Sequence, residues 1–115
     1  MHFQVRTDNH IKNSEALADR VRAEVDGALA HGMEGRVRRV EVYLQDLNGD
    51  KGGIDIRCAI EVTIAGHQPV AVAAESASLD DAVTAAVDKM TRVLEHTLGR
   101  IEDRGGRVSM SGEET

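Results

Sequence analysis

Apolar and polar residues alternate through four short stretches of the chain and recur at helical spacing in two longer ones. In residues 2–6, Phe3 and Val5 lie on one side and His2, Gln4 and Arg6 on the other, the pattern of a short half-buried strand. Thr7-Asp8-Asn9-His10 reads as a turn. Asn13 or Ser14 then caps a helix predicted over about 14–31, with Glu15 in its first turn, where a carboxylate suits the helix dipole. Leu17, Val21, Val25, Ala28 and Leu29 share one stripe of that helix, and Gly27 and Gly32 weaken its end.

From Arg36 to Asp46 the period returns to two: Val40, Val42 and Leu44 face one way, and Arg39, Glu41, Tyr43 and Gln45 the other. A polar, glycine-rich connector follows over Asp46 to Gly53. The clearest strand sets Ile54, Ile56, Cys58, Ile60, Val62 and Ile64 against Asp55, Arg57, Ala59, Glu61, Thr63 and Ala65. Such a strand is half-buried and antiparallel, because a slip of one residue would exchange its faces. After a turn at Ala65 to Gln68, Pro69 to Glu75 forms a fourth strand with Val70 and Val72 inward; Pro69, lacking an N–H, belongs at its start or on an edge. Ser78, with Asp81 three residues on, opens the second helix in the manner of a capping box. Leu79, Val83, Ala86, Val87, Met90, Leu94, Leu98 and Ile101 share its apolar face to about residue 101.

The predicted order is β-α-β-β-β-α. The first strand–helix–strand unit is long enough for a parallel crossover, and short connections join the later strands antiparallel. Each strand has one apolar face and two amphipathic helices are available to cover it. The fold class is therefore α/β (α+β), a two-layer sandwich in which both helices lie on one face of a four-stranded mixed sheet and the other face is wet. Residues 1–103 make one domain, and the glycine-rich, almost wholly polar 104–115 reads as a flexible tail.

Composition narrows the functions such a sandwich can serve. With 41% hydrophobic and 30% charged residues in 115 positions, the chain folds rather than staying disordered. One Phe, one Tyr and no Trp disfavour a role built on stacking bases or sugars against rings. Fourteen Lys+Arg against 20 Asp+Glu leave a net charge of −6, so nucleic acid is bound only through a local basic patch. A single cysteine excludes an internal disulfide and fits a reducing compartment. No apolar run approaches the roughly 20 residues of a membrane span, and the first residues lack the apolar core of a secretory signal. The expectation is a cytoplasmic protein without membrane contact.

Candidate chemistry concentrates on the second helix. At 100° per residue, Lys89, Arg92, His96 and Arg100 fall within about 80° of one another, beside an acidic strip of Asp81, Asp88, Glu95 and Glu102. From periodicity alone the arrangement suits a solvated helix laced by opposite charges first, and a phosphate-contacting edge, to which Arg36, Arg38 and Arg39 add if their loop lies nearby, second. Asp46, Asn48 and Asp50 have calcium-loop spacing, but Lys51 stands where that loop needs Gly and Arg57 where it needs Glu. Gly49 to Gly53 does not match a phosphate-cradling loop. Cys58 shares parity with Ile56 and Ile60 and reads as a buried, inert thiol. His2, His10, His31, His67 and His96 show no ligand spacing. No catalytic centre, metal site or cofactor is expected.

Element order and helix motifs together carry a resemblance. Ala16-Leu17 with Val21, Arg36-Val37 leading into Val40-Glu41-Val42, and Leu79, Ala82-Val83 and Val87-Asp88-Lys89-Met90 followed by Arg92 and Leu94 resemble the short ribosome hibernation promoting factors and ribosome-associated inhibitors, also labelled sigma-54 modulation proteins. The resemblance spans roughly residues 2–101. It implies a sandwich similar to double-stranded RNA-binding domains, and a stress-linked translation inhibitor that occupies the messenger and transfer RNA channel of the small ribosomal subunit and silences idle ribosomes by steric occlusion. Position by position it implicates Arg36, Lys89, Arg92 and Arg100 in contacts with ribosomal RNA phosphates. Arg38 and His96 complete the expected RNA-binding set through the charge map. Without a catalytic centre the chain is not expected to be an enzyme, and no DNA binding is expected. Where members usually carry lysines, this chain has Glu95, His96, Thr97, Leu98 and Gly99; Asp80 replaces an aromatic and Glu24 a frequent basic residue. Each lost phosphate contact removes close to one unit of salt slope. The alternative is a diverged protein-binding or homodimerising module without ribosome binding, using a sheet face softened by Tyr43, Ala59, Ala71 and Ala73.

Overall fold

Alternation dictates the strands, and the strands assemble as the pattern requires. The computed structural model describes residues 1–29, 35–48 and 55–110, with side chains through residue 99. Its elements are β1 (His2–Thr7), α1 (Glu15–Ala28), β2 (Val37–Asp46), β3 (Ile56–Ile64), β4 (Val70–Ser76) and α2 (Leu79–Met110). They form one sheet in the order β1-β2-β3-β4, with β1 parallel to β2 and the other neighbours antiparallel. The expected β-α-β-β-β-α mixed-sheet architecture is the one observed.

Inward residues of the sheet meet the apolar stripes of the helices. Val40, Val42, Leu44, Cys58, Ile60, Val62 and Ile64 are buried together with Val21, Val25 and Leu29 of α1 and Ala82, Ala86, Met90 and Leu94 of α2. Phe3, Val5, Val70 and Val72 pack at the margins of this core. Cys58 is fully buried, and loss of water, reinforced by the charge of Glu24, pushes its thiol up to about 12. A thiol so placed is a small core hydrophobe and not a nucleophile.

Caps and turns fix the element ends. Ser14, and not Asn13, caps α1, its hydroxyl accepting from the Leu17 N–H at 3.2 Å; Asn13 donates instead to the Val5 carbonyl. The Ser78 hydroxyl accepts from the Asp81 N–H at 3.1 Å, the forward half of a capping box. Asp8 ties the turn after β1 to the end of β2, accepting from the Asp46 and His10 N–H groups. Desolvation acts to raise the Asp8 carboxyl, but those N–H groups, with the charge of His10 and the Ile11 N–H, hold it below its ordinary value. The β3–β4 turn needs Gly66, whose φ of 72° lies in the left-handed region.

Helix ends depart from the sequence expectation. α1 stops at Ala28, with Leu29 as its C-cap, three residues short of 31. Gly27 in the last turn weakens it there. α2 continues to Met110, beyond the fade of its apolar face near residue 101, since no proline interrupts the backbone. The side chains from residue 100 onward, Arg100 and the expected tail among them, lie outside the described residues, as do residues 30–34 and 49–54.

Candidate nucleic-acid interface

Three contacts orient α2 about its axis. Thr84 donates its hydroxyl to Glu24 of α1 at 2.9 Å, and Asp80 pairs with Arg20 of α1 at 2.6 Å, so this flank of α2 faces α1. On the opposite flank Lys89 reaches past the sheet margin and donates its ammonium to the Ala73 carbonyl of β4 at 2.8 Å. Between the flanks the solvent-facing crest carries the exposed Asp81, Asp88 and Glu95. The acidic strip is therefore the crown of the helix layer, and the basic stripe leans outward over the β4 edge.

Lys89, Arg92 and His96 share that stripe at helical spacing, and all three are exposed. Lys89 is already committed: its carbonyl partner lies on β4, an edge strand of the sheet, so the ammonium covers part of that edge. Exposure leaves Arg92 and His96 pointing at solvent. Glu24, where the resemblance leads one to expect a basic residue, serves instead as the acceptor that joins α1 to α2.

Arg36 and Arg38 sit at the start of β2. The Arg36 carbonyl accepts from the Ala65 N–H at 3.0 Å, which fixes it beside the β3–β4 turn, and its half-buried side chain is engaged. Pairing jumps from Val37↔Ile64 to Arg39↔Thr63, so Arg38 is the extra residue of a β-bulge. The bulge resets the alternation: Val37 and Val40, three apart, are both buried, while Arg38 and Arg39 are both exposed. Arg39 then pairs with Glu41. The Val37–Val40 spacing was the signal in the sequence for this re-aimed arginine.

Because α2 runs back along β4, its later turns return to the end of the sheet where β2 begins. Arg36, Arg38 and His96 therefore share one end of the molecule. They do not form a single contacting cluster, since β2 lies two strands from β4, roughly 10 Å across the sheet. Lys89 and Arg92 extend the stripe along the helix from that end. The arrangement is a discontinuous cationic rim, suited to phosphates spaced along a folded RNA and not to one isolated anion. Other cations are bound within the fold: Arg20 by Asp80, Arg22 by Asp26 and the Phe3 ring, and Arg57 by Glu75. Among the described residues, no group of three or more His, Cys, Asp or Glu side chains is placed to hold a metal ion, and no helix is long and apolar enough to cross a membrane.

Residues 4–102 match the family described as sigma 54 modulation protein / S30EA ribosomal protein. Among solved structures, the chain is similar to the Protein Y N-terminal domain of Thermus thermophilus, at 21% identity and a TM-score of 0.68, covering 84% of this chain and 99% of that one. It is also similar to a ribosomal subunit interface protein from Coxiella burnetii, at 14% identity and a TM-score of 0.72, covering 86% and 99%. At these identities the likeness is one of fold. No curated protein matches the chain.

Proposed function

Because the chain belongs to the sigma 54 modulation protein / S30EA ribosomal protein family, we propose that it is a ribosome-associated hibernation factor that enters the messenger and transfer RNA channel of the small subunit and silences idle ribosomes. The family match over residues 4–102 is the observation that carries this reading. The mechanism is steric. A rigid sandwich fills the space that messenger and transfer RNA require, and cations neutralise backbone phosphate without reading bases. Such a role needs no catalytic group and no cofactor, and it places the protein in the cytoplasm with ribosomal RNA as its partner.

Within this reading, Arg92 and His96 with Arg36, Arg38 and Arg100 supply the phosphate contacts, and Lys89 contributes only by leaving the strand edge. The acidic crest of Asp81, Asp88 and Glu95 faces away from RNA. Co-sedimentation with purified vacant small subunits across a salt series tests the reading. Binding should weaken steeply with salt, and Arg92→Glu should lower the logarithmic slope by about one unit or more. Binding indifferent to salt, or none at low salt, would overturn it.

A further inference from the structure

The sheet face opposite the helices carries a pattern that the ribosome reading leaves unused. Register fixes its rows. Arg6, Tyr43, Ala59 and Ala73 lie side by side across the four strands; Gln4, Glu41, Glu61 and Ala71 form the next row, and Gln45, Arg57 and Glu75 the row on the other side. Tyr43 is 40% exposed at the centre. Beside it Ala59, Ala71 and Ala73 floor an open concavity of about 450 Å³, rimmed by Glu41, Glu61 and Arg57.

We propose that this face binds a second copy of the chain, the two sheets packing face to face about a two-fold axis that runs along the Tyr43 row. Rotation about that axis keeps each strand opposite its own copy and exchanges the flanking rows. Glu61 of one copy then meets Arg57 of the other, twice per dimer. Glu41 meets Gln45, and Glu75 meets Ala71. Along the axis Tyr43, Ala59 and Ala73 each meet their own copy, and among the charged residues only Arg6 does so; it stands on an edge strand where a long side chain turns to solvent.

This charge layout selects a copy of the chain over RNA as occupant. Glu41 and Glu61 are directly opposed across β2 and β3, an unfavourable pairing that Arg39 relieves only on the Glu41 side. Glu61 is exposed and has no ion pair among the described residues. Phosphate would meet Glu41, Glu61 and Glu75 on this face, whereas a second copy brings to Glu61 the guanidinium of its Arg57, shared there with that copy's own Glu75. The alanines allow close approach of the sheets, and the hollow they floor leaves room for two offset tyrosine rings. Edge-to-edge pairing through β4 is opposed by Lys89.

Strand lengths and spacing give the face a projected area on the order of 500 Å² per copy, hence a total near the lower limit of specific interfaces. The dimer is accordingly weak and reversible, with a dissociation constant of roughly 10 μM to 1 mM. Sedimentation equilibrium of the full chain over that range provides the test, with circular dichroism confirming that each variant is folded. Arg57→Glu and Glu61→Arg should each weaken association tenfold or more, and the double charge swap should restore it to near the parent value. A parent chain that stays monomeric to about 1 mM, single variants without effect, or a double variant that fails to recover would each overturn the proposal. None of these outcomes bears on ribosome binding, which co-sedimentation at sub-micromolar protein measures separately.

Discussion

Replacing Lys89 and Arg92 one at a time separates a cation that serves the fold from one held ready for a ligand. Lys89→Met keeps most of the aliphatic stem and removes the ammonium that lies 2.8 Å from the Ala73 carbonyl. A charge-assisted bond at an exposed position contributes about 1 kcal/mol, and the carbonyl left behind regains water, which holds the loss near that figure. For a folded part of roughly 100 residues this lowers the melting temperature by about 4–8 °C. Arg92→Met, at an exposed helix position with no hydrogen bond or ion pair among the described residues, should change stability by less than about 0.5 kcal/mol. Salt-dependent binding to small subunits should show the reverse order, Arg92→Met reducing the slope by about one unit and Lys89→Met by less. Urea unfolding and co-sedimentation on the same preparations supply both readouts. If Lys89→Met leaves stability untouched and reduces the slope as much as Arg92→Met, the Lys89 ammonium spends its time away from the strand and the reasoning fails.

Further outcomes follow from the core and its boundaries. Leu94→Ala empties a fully buried site between helix and sheet and should cost about 2–5 kcal/mol, read from the shift in urea midpoint. Ser78→Ala removes the acceptor for the Asp81 N–H and should cost about 1 kcal/mol, whereas Asn13→Ala, which leaves the Ser14 cap intact, should cost less. Cys58 should resist thiol reagents in the native protein. Because its folded pKa of about 12 exceeds the ordinary 9.0, its stabilising contribution is complete below pH 9 and is lost as pH rises toward 12, at up to about 1.4 kcal/mol per pH unit. Cys58→Ala should flatten that alkaline decline, and an unchanged decline would remove the thiol from the account.

Strand identity was legible because each strand has one wet face: Ile56 to Ile64 alternates without a break and pairs as that alternation demands. The Ser78 cap and the apolar face of α2 were legible for the same local reason. What escaped sequence reasoning was set by neighbours distant along the chain. The bulge at Arg38 follows from its pairing with β3, 25 residues away. The tie from Lys89 to Ala73 exists only once α2 lies along β4, and it turns a member of the expected basic stripe into a guard of the sheet edge. Charge-map periodicity grouped Lys89, Arg92 and His96 correctly on one side of the helix, yet it gave no distance from them to Arg36 and Arg38, because two strands of sheet intervene.

Competition for the small subunit addresses steric occlusion most directly. Labelled messenger RNA and initiator transfer RNA would be bound to vacant subunits while this protein is titrated in at low salt. Mutual exclusion is the predicted result, with excess RNA displacing the protein and the protein raising the apparent dissociation constant of the RNA in proportion to its concentration. Stable subunits carrying both at once would contradict the account.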